Sequence, residues 1–293
     1  MAPRLDERQL HALIDPRELV EAIAATLLSP NAHEKPRTAA SNGESWLGLM
    51  LAYTRERYAV KIVGVYPHNS LRGLPTVRGT ALLIDAETGD TVLEVDASPL
   101  TGWRTAAATA LAIRLLNADR GVLGVVGAGV QARYHLEVLL RTARFERILL
   151  ASRTHQKAAA LARDYGAEPV DTSTLARNSD TLILATTAKQ PPVKGEEIPE
   201  GAAVASIGAP APVHELDTLT LLRARCMLAD TRHGVASEAS EARNAAIEIV
   251  ELREALANPA ACQPGGIKLY KSVGTPLLDL AALLYIEKKL GEG

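Results

Sequence analysis

The second half of the chain alternates between short apolar runs and helical segments, and this alternation restricts the fold more than any other feature. The apolar runs lie at 122–126, 148–151, 181–185, 202–206 and 226–229. Such runs, separated by helices, are typical of parallel strands that are buried on both faces of a sheet. The sequence therefore predicts an α/β fold with a doubly wound parallel sheet.

A glycine-rich turn follows the first of these runs and opens a helix. Residues 127–132 read GAGVQA and fit the pattern G-x-G-x-x-A. The first glycine permits a tight turn, the second lets backbone N–H groups approach a pyrophosphate, and the alanine keeps the helix close to the sheet. Because further strand–helix units follow, we interpret the turn as a dinucleotide site in a Rossmann-type domain rather than an ordinary βα turn. Its predicted cofactor-binding residues are Gly127, Ala128, Gly129, Val130 and Gln131.

The residues after the second predicted strand bear on the type of dinucleotide. Sites for NAD usually carry Asp or Glu there, whereas this chain has Ser152-Arg153-Thr154. Two hydroxyl groups and a guanidinium would suit a 2′-phosphate. The alternative is that Arg153 is simply solvated at a helix start. We favour NADP(H), with NAD(H) as the other possibility.

The first part of the chain follows a different pattern, which predicts an α+β domain. Residues 5–28 have helical spacing, residues 44–96 form short β-runs, and a helix is predicted at 103–117 with Thr101 as its N-cap. Lys61 lies inside one of the β-runs.

Two helices are also predicted after the last apolar run, at 237–257 and 276–290. We therefore place a Rossmann-type dinucleotide-binding domain at 118–275 and the α+β domain at 1–117 and 276–293.

Three basic residues stand in unusual surroundings. Lys61 interrupts an apolar strand, where a buried ammonium would need a partner such as a substrate carboxylate; the alternative is a lysine on the solvent face. Arg104 is predicted in the first turn of a helix, where the helix dipole disfavours a cation unless an anion is present. Arg37 is less distinctive and resembles an ordinary loop residue.

Composition and charge exclude several classes of protein. The 293 residues carry 32 basic and 34 acidic side chains, so nothing indicates nucleic acid or an anionic membrane as partner. No apolar stretch reaches membrane-spanning length, because Asp279 and Glu287 interrupt the C-terminal run. The histidines and cysteines lack metal-ligand spacing, so we expect no metal site. With only Cys226 and Cys262 available, a disulfide scaffold is excluded and a cytoplasmic protein is expected.

From about residue 37 onwards, the chain resembles the ornithine cyclodeaminase/mu-crystallin family, in its NADPH-dependent imine reductase or alanine dehydrogenase-like branch. The resemblance rests on an ordered series of segments, which are 61–67 (KIVGVYP), 73–76 (GLPT), 100–107 (LTGWRTAA), 126–132 (VGAGVQA), 207–209 (IGA) with Glu215-Leu216, and 271–274 (KSVG).

The resemblance implies a homodimer in which the α+β domain dimerises and holds the substrate. It implies that Arg37, Lys61 and Arg104 bind the substrate carboxylate and that Lys61 assists proton transfer. It also implies a set of positions along the cofactor, namely Thr76, Thr105, Val130, Gln131, Ser152, Thr187, Ser206, Ile207 and Ser272.

One residue departs from the pattern of the cyclodeaminases, which have an acid/base Asp where this chain has Pro210. Proline cannot exchange a proton, whereas imine reduction needs only a carboxylate clamp, a hydride donor and one proton source. We therefore expect an NAD(P)H-dependent oxidoreductase that acts on the C–N bond of a small amino or imino acid. Two alternatives stay open: an ornithine cyclodeaminase with Glu44 or Glu215 as the missing carboxylate, and an NADPH-binding, crystallin-like protein with little turnover.

Overall fold

The chain forms two compact units. The computed structural model describes residues 2–209, 212–242, 246–262 and 265–292. The first unit comprises Met1–Arg104 with Thr275–Gly293, and the second comprises Thr105–Gly274. The boundary between the units lies between Arg104 and Thr105, inside the helix Ala97–Leu115. The sequence predicted this boundary at 117/118, after the helix.

The first unit contains a six-stranded sheet with the order β1-β6-β5-β4-β3-β2, antiparallel except for the β1/β6 pair. Its elements are β1 (Arg4–Leu5), α1 (Glu7–Leu13), α2 (Pro16–Leu28), β2 (His33–Ser41), β3 (Trp46–Tyr53), β4 (Arg57–Val65), β5 (Val77–Asp85), β6 (Thr91–Asp96), the start of α3 (Ala97–Leu115), and α10 (Pro276–Gly291).

The two faces of this sheet differ in burial. In β3, Met50 and Ala52 point inward and are buried, whereas Leu47, Leu49 and Leu51 alternate with them and are exposed. α10 packs on the inner face against β3 and β4 and also contacts α2. Because paired residues of adjacent strands share a face, the residues of β4 opposite Met50 and Ala52 are buried on this face too.

The second unit is a Rossmann-type fold with an eight-stranded, wholly parallel sheet. Its remaining elements are β7 (Arg120–Val126), α4 (Val130–Thr142), β8 (Arg144–Ala151), α5 (His155–Tyr165), β9 (Glu168–Pro169), α6 (Thr172–Asn178), β10 (Thr181–Leu184), β11 (Ala203–Ser206), α7 (Thr218–Arg223), β12 (Cys226–Ala229), α8 (Arg232–Glu238), β13 (Glu248–Glu251), α9 (Leu252–Ala257) and β14 (Lys268–Lys271).

The strand order β13-β12-β14-β11-β10-β7-β8-β9 places the switch of direction between β7 and β10. Successive strands are added on opposite sides of this point, so the loops that follow β7 and β10 diverge. Ligands of doubly wound sheets bind at this place. The topology therefore positions the glycine-rich turn, which follows β7, at the binding crevice of the fold.

Three local expectations were wrong. Residues 237–257 are not one helix: β13 lies between α8 and α9 and pairs in parallel with β12. Its four residues are too few for periodicity to distinguish a strand from a helix. The strand β14 was not predicted at all, and Thr101 lies inside α3 rather than at its N-cap.

The two cysteines are also paired, since Cys226 and Cys262 form a disulfide with a Cα–Cα distance of 5.8 Å. The low cysteine count excludes a disulfide scaffold and is the reason for expecting a reducing compartment. This single cross-link removes that reason.

Candidate active site

Lys61 lies on the inner, helix-covered face of the first unit's sheet. It pairs with Met50 of β3 and Ala81 of β5, and it is only 2% exposed. The alternative that this lysine faces solvent is therefore wrong. An ammonium group in this position needs an acceptor, because a charge removed from water is costly unless it is paired.

Asp279 of α10 supplies that acceptor and binds a second cation as well. Its Oδ1 accepts hydrogen bonds from Lys61 Nζ at 2.7 Å and from Arg104 Nε at 3.1 Å. All three side chains are almost fully buried. Thr101, one turn before Arg104 on α3, accepts a longer contact from Lys61 Nζ at 3.3 Å. Thr101, which the sequence predicted as an N-cap, therefore contacts the Lys61 ammonium instead.

Arg104 keeps hydrogen-bonding capacity after this pairing. A guanidinium has five N–H donors, and Asp279 uses only the one on Nε. Within the described part of the chain, no hydrogen bond engages the two terminal nitrogens of Arg104. These nitrogens have the geometry that binds a carboxylate in a bidentate manner.

The start of α10 places the Asp279 carboxylate. Thr275 is the N-cap, and Glu34 of β2 accepts from its hydroxyl and, at 3.1 Å, from the backbone N–H of Leu277. Asp279 lies in the first turn, where the helix dipole favours an anion. The sequence carried a signal for this residue, namely a lone carboxylate in the apolar run 277–283, but we used it only as evidence against a membrane span.

The surroundings of Lys61 lower its pKa from 10.5 to about 7. Burial is the largest cause, and the charges of Arg104 and Arg37 act in the same direction. Asp279 opposes them, since both its charge and its hydrogen bond raise the pKa. Lys61 can therefore gain or lose a proton near neutral pH, as a general acid or base must.

Arg37 belongs to the same cluster through its charge. It lies on β2, half-buried, with its guanidinium 5.8 Å from the centre of the Trp46 ring. It is close enough to lower the pKa of Lys61. The structure thus brings the three sequence-predicted cations into one electrostatic cluster.

In the second unit, the glycine-rich turn has the shape that a pyrophosphate requires. Gly127 has φ +124°, and a Cβ there would lie 2.2 Å from the carbonyl oxygen of Ala185, so only glycine fits. A Cβ on Gly129 would meet nothing within 4 Å. Gly129 is the N-cap of α4 and makes no side-chain cap bond. The N-terminus of a thirteen-residue helix is therefore open to an anion, and the turn fits a dinucleotide.

The segment Ser152-Arg153-Thr154 connects β8 to α5. Ser152 Oγ donates to the carbonyl oxygen of Thr154 at 2.8 Å, while Arg153 and Thr154 are exposed. Thr154 is the N-cap of α5 but makes no side-chain cap bond. A hydroxyl, a guanidinium and a helix N-terminus are thus accessible at the end of the second strand.

The Glu215 carboxylate bridges the carboxyl ends of β10 and β11 by hydrogen bonds. One carboxylate oxygen accepts from Ser206 Oγ and from the backbone N–H groups of Ile207 and Gly208, at 2.7–3.0 Å. The other accepts from the backbone N–H and the hydroxyl of Thr186, both at 2.7 Å. Sequence analysis considered Glu215 as a replacement acid/base, but this buried carboxylate is occupied by five donors. Its evident role is to fix the two loops.

Two further buried groups, Asp230 and Lys271, make hydrogen bonds at the end of β14, and neither was predicted as a site residue. Asp230 accepts from Ser272 Oγ at 3.0 Å and from the backbone N–H of Gly274 at 2.7 Å. Lys271 donates to Ser206 Oγ at 2.8 Å, and its ammonium lies 3.0 Å from the carboxylate of Glu241. The side chains of Ser206 and Ser272 are therefore engaged within the protein.

The remaining predicted positions fall in both units. Thr76 is exposed just before β5, Thr105 is buried on α3, and Thr187 is exposed after β10. Ile207 directly follows β11 in the sequence and is buried. Pro210 lies outside the described residues.

Comparison with known proteins decides the family. Residues 7–293 match the model of the ornithine cyclodeaminase/mu-crystallin family. The chain belongs to this family. It is 33% identical over 249 residues to a Delta(1)-pyrroline-2-carboxylate/Delta(1)-piperideine-2-carboxylate reductase of Azospirillum brasilense, covering 80% of this chain and 78% of that protein. It is 30% identical over 247 residues to ketimine reductase mu-crystallin of Mus musculus, covering 81% and 78%.

A solved structure has the same fold over nearly its whole length. The Delta(1)-pyrroline-2-carboxylate reductase of Thermococcus litoralis, solved with NADH and L-proline, superimposes with a TM-score of 0.89. It is 29% identical and covers 99% of this chain, which covers 97% of it. These three proteins are reductases of ketimines or of cyclic imino acids, which is the class of enzyme that the sequence predicted, and the Rossmann-type fold is confirmed.

Two features are absent from the part of the chain that the structure describes. Among the described residues, no group of three or more His, Cys, Asp or Glu side chains is arranged to hold a metal ion. Within the same residues, no helix is both long and apolar enough to cross a bilayer.

Proposed function

We propose that this chain is an NAD(P)H-dependent reductase of small imino acids whose imine nitrogen is adjacent to a carboxylate-bearing carbon, such as pyrroline- and piperideine-2-carboxylate. The observation that carries the proposal is the buried pair of Lys61 and Arg104, because the terminal nitrogens of Arg104 are left to bind a carboxylate. The relatives with the highest similarity reported above reduce such compounds.

The proposal gives each unit one task. The first unit binds the substrate through Arg37, Lys61 and Arg104, and the second binds the dinucleotide at the glycine-rich turn. When bound, the reduced nicotinamide supplies a hydride. The cations neutralise and orient the substrate carboxylate, and the Lys61 ammonium or an ordered water supplies the proton.

The residues after β8 support NADP(H) as the preferred cofactor. A 2′-phosphate would meet the exposed guanidinium of Arg153, the Thr154 hydroxyl and the N-terminus of α5. No carboxylate lies in this segment to accept from a free ribose hydroxyl. NAD(H) remains a substrate of lower affinity under this proposal.

The proposal includes a homodimer that forms through the outer face of the first unit's sheet. Leu47, Leu49 and Leu51 of β3 and Ile62 of β4 are each at least 36% exposed, and Leu49 pairs directly with Ile62. Four large apolar side chains on one sheet face are typical of an interaction surface. Light scattering should give the mass of a dimer, and Leu49→Glu should give that of a monomer.

Kinetics of Arg104 variants test the carboxylate site. If the clamp is desolvated, Arg104→Ala should weaken binding of the imino acid by about 2–5 kcal/mol, which is a factor of roughly 30 or more in KM. Arg120→Ala, which alters an exposed arginine at the start of β7, serves as the matched control. Unchanged KM and kcat in Arg104→Ala would refute the clamp.

The geometry of the site does not favour a cyclodeaminase. That reaction needs a group that exchanges protons with the distal amine, and Glu215, one carboxylate considered for it, is already held by five donors.

A further inference from the structure

Asp279 carries one buried oxygen that lacks a hydrogen-bond partner. Its Oδ1 binds Lys61 and Arg104, whereas Oδ2 is inaccessible to solvent and accepts no hydrogen bond from a described residue. Burial of an acceptor without a partner is unfavourable, so each such atom in a native protein calls for an explanation.

The chemistry of the substrate places a donor beside this oxygen. A carboxylate bound to the terminal nitrogens of Arg104 lies within one guanidinium's width of Asp279, because Asp279 binds the Nε of the same group. In a cyclic imino acid, the nitrogen is attached to the carbon that bears the carboxylate. When that nitrogen is protonated, it presents an N–H at the side of the carboxylate. The torsion that turns an aspartate carboxylate is soft, so a small rotation can turn Oδ2 towards this N–H while Oδ1 stays on its two cations.

We propose that Asp279 Oδ2 accepts a hydrogen bond from the ring N–H of the substrate, so that the site selects the protonated imine. This inference rests on the proposed function and adds a substrate-contacting residue to it. Asp279 then has two tasks: one oxygen fixes Lys61 and Arg104, and the other recognises the substrate nitrogen.

Charge supports the assignment. The substrate nitrogen is cationic in its reactive form, and it would lie near Lys61, Arg104 and the charge of Arg37. Without an anion at the nitrogen, these three cations would repel it. Asp279 is the carboxylate in direct contact with Lys61 and Arg104, whereas Glu34 of β2 is engaged with Thr275, the N-cap of α10.

The reduction is balanced with the nitrogen proton already in place. Hydride from the reduced nicotinamide forms the new C–H bond at the imine carbon, and the C=N π pair becomes the lone pair of the amine nitrogen. The N–H bond is kept, so Asp279 transfers no proton. The cation that it stabilises becomes a neutral amine, which can then take a proton from Lys61 or water.

A matched pair of ligands tests the proposal by binding alone. Pyrrole-2-carboxylate has a ring N–H next to its carboxylate, whereas furan-2-carboxylate has nearly the same shape with a ring oxygen instead. Calorimetry on the full-length protein with its dinucleotide should show at least about tenfold tighter binding of the pyrrole, because the furan leaves Oδ2 unpaired and adds a second acceptor. In Asp279→Asn, the preference should be lost or reversed.

The outcomes separate this inference from the proposal beneath it. If wild-type protein binds neither ligand, the carboxylate site itself is refuted. If it binds both equally, or if Asp279→Asn keeps the preference for the pyrrole, the carboxylate site stands and the role of Oδ2 is refuted. A purely structural role of Asp279 would change both affinities together and leave their ratio unchanged. Should Asp279→Asn fail to fold, the ratio in wild-type protein still decides, with Asp279→Glu as a second variant that should retain the preference.

Discussion

The Lys61 ammonium lies 2.7 Å from the Asp279 carboxylate, although 218 residues separate the two along the chain. β4 brings one group to the inner face of a sheet, and α10 brings the other from the C-terminus to the same face. The ion pair therefore depends on the return of the chain to its first unit. Burial lowers the pKa of Lys61 to about 7, and Asp279 keeps it from falling further.

The pH profile of the enzyme should change when this pair is broken. Lys61 has a pKa of about 7, and Asp279 raises that value, so Asp279→Asn should lower it further. If the ammonium form is required, the fall of kcat/KM with rising pH should move to lower pH in the variant. Measurement of kcat/KM from pH 5 to 9 checks this. If kcat/KM falls at the same pH in both proteins, the ionisation of Lys61 does not determine this fall.

The two glycines of the cofactor turn should respond differently to alanine. Gly127→Ala would force a Cβ against the carbonyl oxygen of Ala185 at a φ of +124°, so it should destabilise the second unit. Gly129→Ala finds open space and should stay folded, yet its Cβ would obstruct a pyrophosphate and weaken dinucleotide binding. Thermal unfolding and cofactor titration distinguish the two, and equal melting temperatures would contradict the account.

Arg153 should control the choice between the two dinucleotides. Arg153→Ala should weaken NADPH binding by about tenfold, a typical effect of one exposed charge-assisted contact, and leave NADH binding unchanged. Arg163→Ala, which alters an exposed arginine in the last turn of α5, is the control. Equal losses for both cofactors would show that Arg153 does not meet the 2′-phosphate.

His135 should make the stability of the protein depend on pH. It is fully buried on α4, hydrogen-bonded to the Gln131 carbonyl and Thr109, and burial lowers its pKa from 6.5 to about 4. The unfolded chain therefore binds a proton between pH 6.5 and 4 that the folded protein does not, so stability falls as the pH falls through this range. The contribution of this residue should decrease by about 1.4 kcal/mol per pH unit, or about 3 kcal/mol in all.

Urea unfolding at several pH values, compared with His135→Gln, isolates this effect because other groups titrate alike in both proteins. The glutamine variant should lose the extra slope between pH 6.5 and 4. Parallel curves for the two proteins would contradict the assignment.

The parts of the site that could be predicted from sequence are those made by neighbouring residues. The turn at Gly127 and Gly129 joins one strand to one helix, so its geometry is local and was identified correctly. The partner of Lys61 was not predictable from spacing, because Asp279 meets it only through the packing of α10 on the sheet. Likewise, β13 is too short for its pattern to reveal a strand, and only its pairing with β12 makes this segment a strand.

The central claim is tested most directly by the oxidation of NADPH and NADH, followed by absorbance, with pyrroline-2-carboxylate and piperideine-2-carboxylate as substrates and with pyruvate plus ammonia in parallel. The account predicts turnover with at least one cyclic imino acid, faster with NADPH than with NADH. Absence of oxidation with every substrate and both cofactors, by folded protein that binds a dinucleotide, would contradict it.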